Sequence, residues 1–209
     1  MTGDMLETRL ILYRLLAALY HYPMSEETLE ALRSLDWQEN GGAAEALREA
    51  QSALDAPLSA AMLERLNVEM TRLMEGPGVT PAIPYASYHL HGQQLMGPSA
   101  QAVRRLYLEW GVAPEQGAIP PDHLSLELGF LSFLAEQTLE DDKREDALRA
   151  SLVFLREHLL PWLPQFCAAL ETSAREPFFG ALSRLTRQVA AADELWLHES
   201  LSGQLIELS

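Results

Sequence analysis

The sequence predicts an all-α fold, a single compact helical bundle of roughly eight to ten helices. Three observations carry that reading. Apolar residues recur at intervals of three and four along most of the chain, as at Leu6, Leu10, Tyr13, Ala17 and Tyr20, which places their side chains on one helical face. No stretch alternates apolar and polar residues as a half-buried strand would, and no repeat of about 20 to 50 residues stands out. Glycine and proline clusters cut the chain into pieces of helical length.

The first helix carries Leu6 to Tyr20 and must stop near Pro23, because proline cannot continue a helix. Ser25 suits the N-cap of the second, with Glu26 and Glu27 in the first turn, where the helix dipole favours acids, and Leu29, Leu32 and Leu35 as the apolar stripe. Asn40-Gly41-Gly42 closes it. A third helix is expected from Ala43 to Leu54 and a fourth from Ser59 to Met74, the fourth burying Met62, Leu66, Met70 and Leu73. From Glu75 to Pro84, the residues Gly76, Pro77, Gly78, Pro81 and Pro84 enforce turns or extended backbone. A short helix over Tyr85 to Gln94 follows, and Ser99 then caps a helix through Val103, Leu106, Tyr107 and Trp110 that Gly111 stops. The Pro-rich segment 111–121 is a candidate hinge between the N- and C-terminal helical parts of one domain spanning 1–209. Pro121 and Asp122 fit the first turn of the next helix. Its Leu124, Leu128, Leu131, Ala135 and Leu139, widened by Phe130, Phe133 and Leu134, predict almost complete burial. The remaining helices are expected over Asp142 to Leu160, Trp162 to Ala174 and Pro177 to Ala192.

Composition narrows the function classes. With 209 residues, 48% of them hydrophobic, the chain can bury a sizeable core. No window approaches the roughly 18 consecutive apolar residues of a membrane span. The first residues, with Asp4 and Glu7, lack the basic start and apolar run of a signal peptide. A cytoplasmic protein without stable membrane insertion is therefore expected. The formal charge of -15, from 30 acids against 15 bases, repels phosphate backbones, so no nucleic acid partner is expected, and the same field speeds encounter with a basic peptide. The acidic runs Glu26-Glu27-Glu30, Glu136 to Asp146 and Asp193-Glu194-Glu199 read as solvated surface. Cys167, the only cysteine, sits among Leu163, Pro164 and Phe166 and suits a buried hydrophobe better than a nucleophile.

Two blocks interrupt the helical pattern: residues 76–98, holding Tyr85, Tyr88, His89 and His91, and residues 120–128, opening on Pro120-Pro121-Asp122-His123. Irregular segments placed by rigid helices are where binding commonly lives. Tyr85 and Tyr88 offer rigid amphipathic surface, and Leu73, Met74 and Met96 can repack around differing apolar side chains. Spacing alone reads these residues as core, Asp122 as a helix cap and His123 as a hydrogen-bonded structural histidine. His89, His91 and His123 also invite a metal reading, a zinc-dependent hydrolase. Against it, His89 and His91 point about 200° apart on a helix. Gly76-Pro77-Gly78-Val79-Thr80 lacks the Gly-Lys-Ser/Thr ending of a phosphate-binding loop, so guanine nucleotide binding has no sequence support. A non-catalytic helical adaptor subunit is a third reading.

Four elements together decide between these readings: Leu73-Met74-Glu75-Gly76-Pro77-Gly78, Pro84-Tyr85-Ala86-Ser87-Tyr88, Leu95-Met96-Gly97-Pro98-Ser99 and Pro120-Pro121-Asp122-His123. In order and spacing they resemble the motifs of the TorD/DmsD/NarJ family of molybdoenzyme maturation chaperones, the redox enzyme maturation proteins. Two positions depart from the pattern: Met74 stands where Phe is usual, and Ile119 stands where the family carries an acid. The resemblance implies a cytoplasmic, system-specific chaperone and no enzymatic activity. Such a protein binds the twin-arginine leader, or N-terminus, of a molybdoenzyme catalytic subunit precursor and assists cofactor insertion before export. It further implies a signal-peptide site at Leu73, Met74, Pro84, Tyr85, Ser87, Tyr88, Gly97, Asp122 and His123. No metal and no stably bound cofactor belong to the chain, the molybdopterin cofactor being the client's, and a monomer or a domain-swapped dimer is expected.

Overall fold

The computed structural model describes residues 2–37, 41–76, 80–113 and 119–207. Among them lie ten α-helices and no strand, as the periodicity predicts. They are α1 Thr2–Leu19, α2 Glu26–Ser34, α3 Gly42–Ser52, α4 Ala60–Met70, α5 Ala86–Leu90, α6 Pro98–Glu109, α7 Leu124–Gln137, α8 Arg144–Phe154, α9 Leu163–Ser173 and α10 Pro177–Glu207. Both α4 and α8 run on into a π-helical turn, Thr71–Glu75 and Leu155–Leu159. No helix among the described residues is long and apolar enough to cross a membrane.

Local chemistry sets several starts. The Ser25 hydroxyl accepts the Thr28 N–H at 3.1 Å and begins α2, and Ser59 does the same for α4 through the Met62 N–H at 3.1 Å. The order of packing then follows from which faces are apolar. Helix α1 lies along α7, while α10 packs against α3, α9 and α8. Leu124, Leu128, Leu131, Leu134 and Ala135 make α7 the most enclosed helix. One continuous apolar core joins Leu6 of α1 to Leu201 of α10 and includes Tyr13, Tyr20, Trp162 and Phe166. Full burial of each such side chain contributes roughly 1.5 to 3 kcal/mol.

Several boundaries differ from the sequence expectation, each for a local reason. Ser99 does not cap α6: Gly97 occupies the N-cap and Pro98 the first turn, and the Ser99 hydroxyl pairs with His91 Nε2 at 2.8 Å. The helix expected over Tyr85 to Gln94 shrinks to α5, because Gly92 and Gln93 take the left-handed φ values of 67° and 65°. Leu139 lies beyond the Thr138 C-cap of α7 and is 41% exposed. Pro121 and Asp122 precede α7, whose N-cap is His123.

The largest correction concerns α10, which continues past Ala192 to Glu207. Asp193 is not solvated surface. Its carboxylate is buried and accepts Arg9 Nε at 2.5 Å, Arg9 Nη2 at 3.2 Å and the Tyr13 hydroxyl at 2.8 Å. The Arg9 guanidinium also lies 5.3 Å from the Trp196 ring centroid. Burial, reinforced by the Asp193 charge, holds the Tyr13 hydroxyl well above its ordinary pKa, so it remains a donor. The trio couples α1 to α10 at the first residue past the expected stop.

Asp193→Ala should lower stability by about 3 to 5 kcal/mol, since it leaves the Arg9 charge buried without its partner. Arg14→Ala, at the exposed Arg14–Glu136 pair 3.5 Å apart, should change it by less than about 1 kcal/mol. Urea denaturation of both variants checks this; equal losses would contradict the clamp.

Candidate functional site

The site is built on the end of α4. There the Thr71 hydroxyl donates to the Asn67 carbonyl at 2.9 Å, and the helix widens into its π turn. A Cβ on Gly76 would lie 2.9 Å from the Thr71 carbonyl oxygen, so only glycine lets the backbone fold this closely over the helix end. Arg72 anchors the turn from outside, with Nε and Nη2 each 2.7 Å from the Glu69 carboxylate and Nη2 2.6 Å from the Ser173 carbonyl. Glu69 also accepts the Arg175 N–H at 2.6 Å. Burial acts to raise the Glu69 pKa, yet these donors hold it below the ordinary carboxyl value. The charge of Glu69 is thereby committed to structure.

From this turn the chain crosses to α7. Ala82 N–H donates to the Leu73 carbonyl at 3.0 Å, and two bonds then join the motif blocks: Ala86 N–H to the Asp122 carbonyl at 3.0 Å and Leu124 N–H to the Pro84 carbonyl at 2.9 Å. They form an antiparallel bridge between Tyr85 and His123. The Asp122 carboxylate completes it by accepting the Ser87 N–H at 2.7 Å, satisfying an otherwise orphaned donor at the start of α5. Asp122 therefore caps α5 across 35 residues of chain and not the helix that follows it. The Tyr107 hydroxyl fastens the same segment through the Pro121 carbonyl at 2.9 Å.

His123 Nδ1 accepts the Ser125 N–H at 3.1 Å, capping α7. A nitrogen that accepts cannot carry the proton, so neutral His123 holds it on Nε2, which faces Glu75 Oε1 at 3.7 Å. The half-buried Tyr85 ring packs edge-on against His123, centroids 4.9 Å apart. Burial first, then the charges of Glu75 and Asp122, push the Tyr85 hydroxyl pKa up to about 12. Behind them, buried Glu127 accepts Trp162 Nε1 at 3.2 Å. Burial holds the Glu127 carboxyl well above its ordinary value, with Asp122 reinforcing the shift and Trp162 opposing it. Ser87 Oγ, Asp122 Oδ1 and Glu127 Oε1 are buried with no hydrogen-bond partner among the described residues.

The predicted residues fall into layers. Pro84, Tyr85, Ser87, Asp122 and His123 come together at the bridge. Gly97 backs onto it, for a Cβ there would lie 3.2 Å from both Ser87 Cβ and His91 Cδ2. Tyr88 sits further along α5 with its ring 5.4 Å from that of His89. Leu73 and Met74 are buried beneath, within the core. Leu95 and Met96, by contrast, are 52% and 60% exposed on the turn leading to α6, with Leu90 also exposed nearby in the chain. Glu75 and Glu127 were not singled out from the sequence. A lone acid within the apolar run Leu124 to Leu131 was the available signal for Glu127; Glu75 occupied a variable motif position and carried none.

The three histidines of the zinc reading turn to different partners. His89 Nε2 pairs with the Ile83 carbonyl at 2.8 Å and its ring stacks on Trp162, His91 pairs with Ser99, and His123 pairs with Ser125. Among the described residues no three His, Cys, Asp or Glu groups converge to hold a metal ion. Residues 77–79 of the supposed phosphate loop and 114–118 of the supposed hinge lie outside the described residues.

The model of the nitrate reductase delta subunit family matches residues 40–168, a span that contains the whole bridge. The chain belongs to that family. Family members among curated relatives include the chaperone protein TorD of Vibrio cholerae serotype O1, 34% identical over 122 residues that cover 56% of each chain. TorD of Photobacterium profundum is 36% identical over 46% of each. The chain thus spans about half the length of these two relatives. TorD of Aliivibrio fischeri is 28% identical over 86% of this chain and 89% of its own. A solved structure assigned as a redox enzyme maturation protein, from Archaeoglobus fulgidus, shares the fold, with a TM-score of 0.54 and 24% identity over 85% of this chain and 91% of its own. The family resemblance seen in the four motifs is borne out.

Glu127 yields a signed pH prediction. Because its folded-state pKa is raised, the folded chain keeps a proton that the unfolded chain releases above the ordinary value of 4.5. Its contribution is fully present below that value and is lost as pH rises toward the folded pKa. Glu127→Gln should therefore gain stability relative to the parent as pH rises above the ordinary carboxyl value of 4.5, measured by urea denaturation from acid to neutral pH. A constant difference would mean Glu127 is ionised in the fold.

Proposed function

We propose that this protein is a cytoplasmic chaperone for a molybdoenzyme catalytic subunit, and that the Tyr85–His123 bridge is part of the surface that holds the client's twin-arginine leader. One observation carries the proposal: two motif blocks that are separate in sequence are stitched into a single half-open site. The site offers an aromatic ring, a partly exposed carboxylate and, at the end of α5 and on the turn that follows it, the exposed apolar side chains of Leu90, Leu95 and Met96. A leader combining two arginines with an apolar stretch complements both features. The relatives named TorD chaperones, and the overall charge of -15, point the same way.

In this mechanism the chain performs no bond chemistry. Tyr85 and the exposed apolar residues engage the leader, the bridge keeps that surface rigid, and the precursor is retained until its molybdopterin cofactor, which is the client's own, is in place. Leu73, Met74, Pro84, Ser87, Gly97 and Asp122 support the surface from below, since all except half-buried Gly97 are buried. The protein acts as one helical domain over 1–209, with the segment 111–121 as the hinge that a domain-swapped dimer would use.

Tyr85→Ala should weaken binding of a synthetic twin-arginine leader by about 2 kcal/mol, the scale of an aromatic anchor at an interface, with the far-ultraviolet circular dichroism unchanged. Calorimetric titration provides the affinity. An unchanged affinity would remove Tyr85 from the contact surface. The association rate should also fall between low and physiological salt, where the screening length is about 8 Å; a salt-independent rate would contradict steering by the acidic surface.

A further inference from the structure

Deepening the leader-binding reading, on which it rests, we propose that Glu75 is the residue that receives a leader arginine. The motif resemblance directs attention to Asp122 and His123, but geometry separates their roles. Asp122 is fully buried and one of its carboxylate oxygens is occupied by the Ser87 N–H. An incoming guanidinium would have to break the bridge to reach it. Glu75 is 34% exposed and its single polar contact among the described residues is the 3.7 Å approach to His123 Nε2. That separation exceeds a hydrogen bond, so both carboxylate oxygens keep their capacity to accept.

Position and pre-organisation favour Glu75 further. It is the last residue of the π turn, and Gly76 immediately after it is packed so closely on Thr71 that the backbone has no slack. The Arg72 network fixes the same turn and occupies the Glu69 carboxylate, so Glu69 is not a competing acceptor. Glu127 is fully buried with its carboxyl held by Trp162 Nε1, so it is not an accessible acceptor. Tyr85, next to His123 and electrostatically coupled to Glu75, supplies an aromatic ring beside the carboxylate. A planar guanidinium forks onto a carboxylate and stacks on an aromatic face, which an ammonium does not do. Ile119 supplies no acid at the position where the family customarily has one; Glu75, facing His123, carries a negative charge from the other motif block.

The test uses the full chain and two synthetic leader peptides, one with its Arg-Arg pair and one with Gln-Gln in its place. Glu75→Gln should weaken the Arg-Arg peptide about tenfold, in the range of a lost charge-assisted contact, and should leave the weaker Gln-Gln peptide unchanged. Glu75→Lys should weaken the Arg-Arg peptide further. Thermal melting of Glu75→Gln should coincide with that of the parent. Equal losses for both peptides, or an Arg-Arg affinity equal to the parent's, would overturn the assignment while leaving leader binding intact. Failure of the parent chain to bind either peptide would overturn the leader-binding reading itself, and the Glu75 assignment with it.

Discussion

The backbone pairing of residues 84–86 with 122–124 is the constraint on which the site depends. In a helical protein every irregular segment must find partners for its N–H and carbonyl groups or leave them unsatisfied. Here each of two irregular segments finds them in the other, through Ala86 to Asp122 and Leu124 to Pro84. The Asp122 side chain then supplies the cap that α5 lacks in its own sequence. Tyr85, Ser87 and His123 owe their positions to these three bonds, and the π turn that carries Glu75 is brought against them.

The bridge is held by an interior that is more polar than its apolar helix suggests. Glu127 projects from α7 into a fully buried position, where its carboxyl accepts Trp162 Nε1 and burial holds its pKa well above the ordinary value. Trp162 in turn stacks on His89 of α5. The helix that forms the centre of the core thus also underlies the site. A second buried polar group, Asp193 with Arg9 and Tyr13, joins the chain's two ends at α1 and α10 and secures the scaffold. Both arrangements specify geometry at some expense in desolvation.

Periodicity made the helices legible because burial on one face is what most of them do, and Ser25 announced its cap by residue type. It could not reveal which polar residues are consumed by tertiary pairing. Asp193 looked like one of a solvated run, and its partner Arg9 is 184 residues away. Asp122 looked like a cap for the helix it precedes, whereas its carboxylate serves a helix start 35 residues upstream. The Ser99 hydroxyl pairs with His91 and leaves the N-cap of α6 to Gly97, a competition that no local rule encodes. The motif residues of the site were identified from resemblance; their division into supporting, contacting and charged members required the fold. Glu75 is the clearest case, since the close approach of Gly76 to Thr71 that places it is a property of the π turn alone.

Residue-resolved amide hydrogen exchange, with and without a twin-arginine leader peptide, tests the central claim that the bridge is the floor of the leader site. The amides of Ala86, Ser87 and Leu124 should exchange slowly in the free protein, and peptide binding should slow them further together with the amides of the Glu75 turn. Peptide-induced protection confined to other helices, with the bridge amides unchanged, would contradict it.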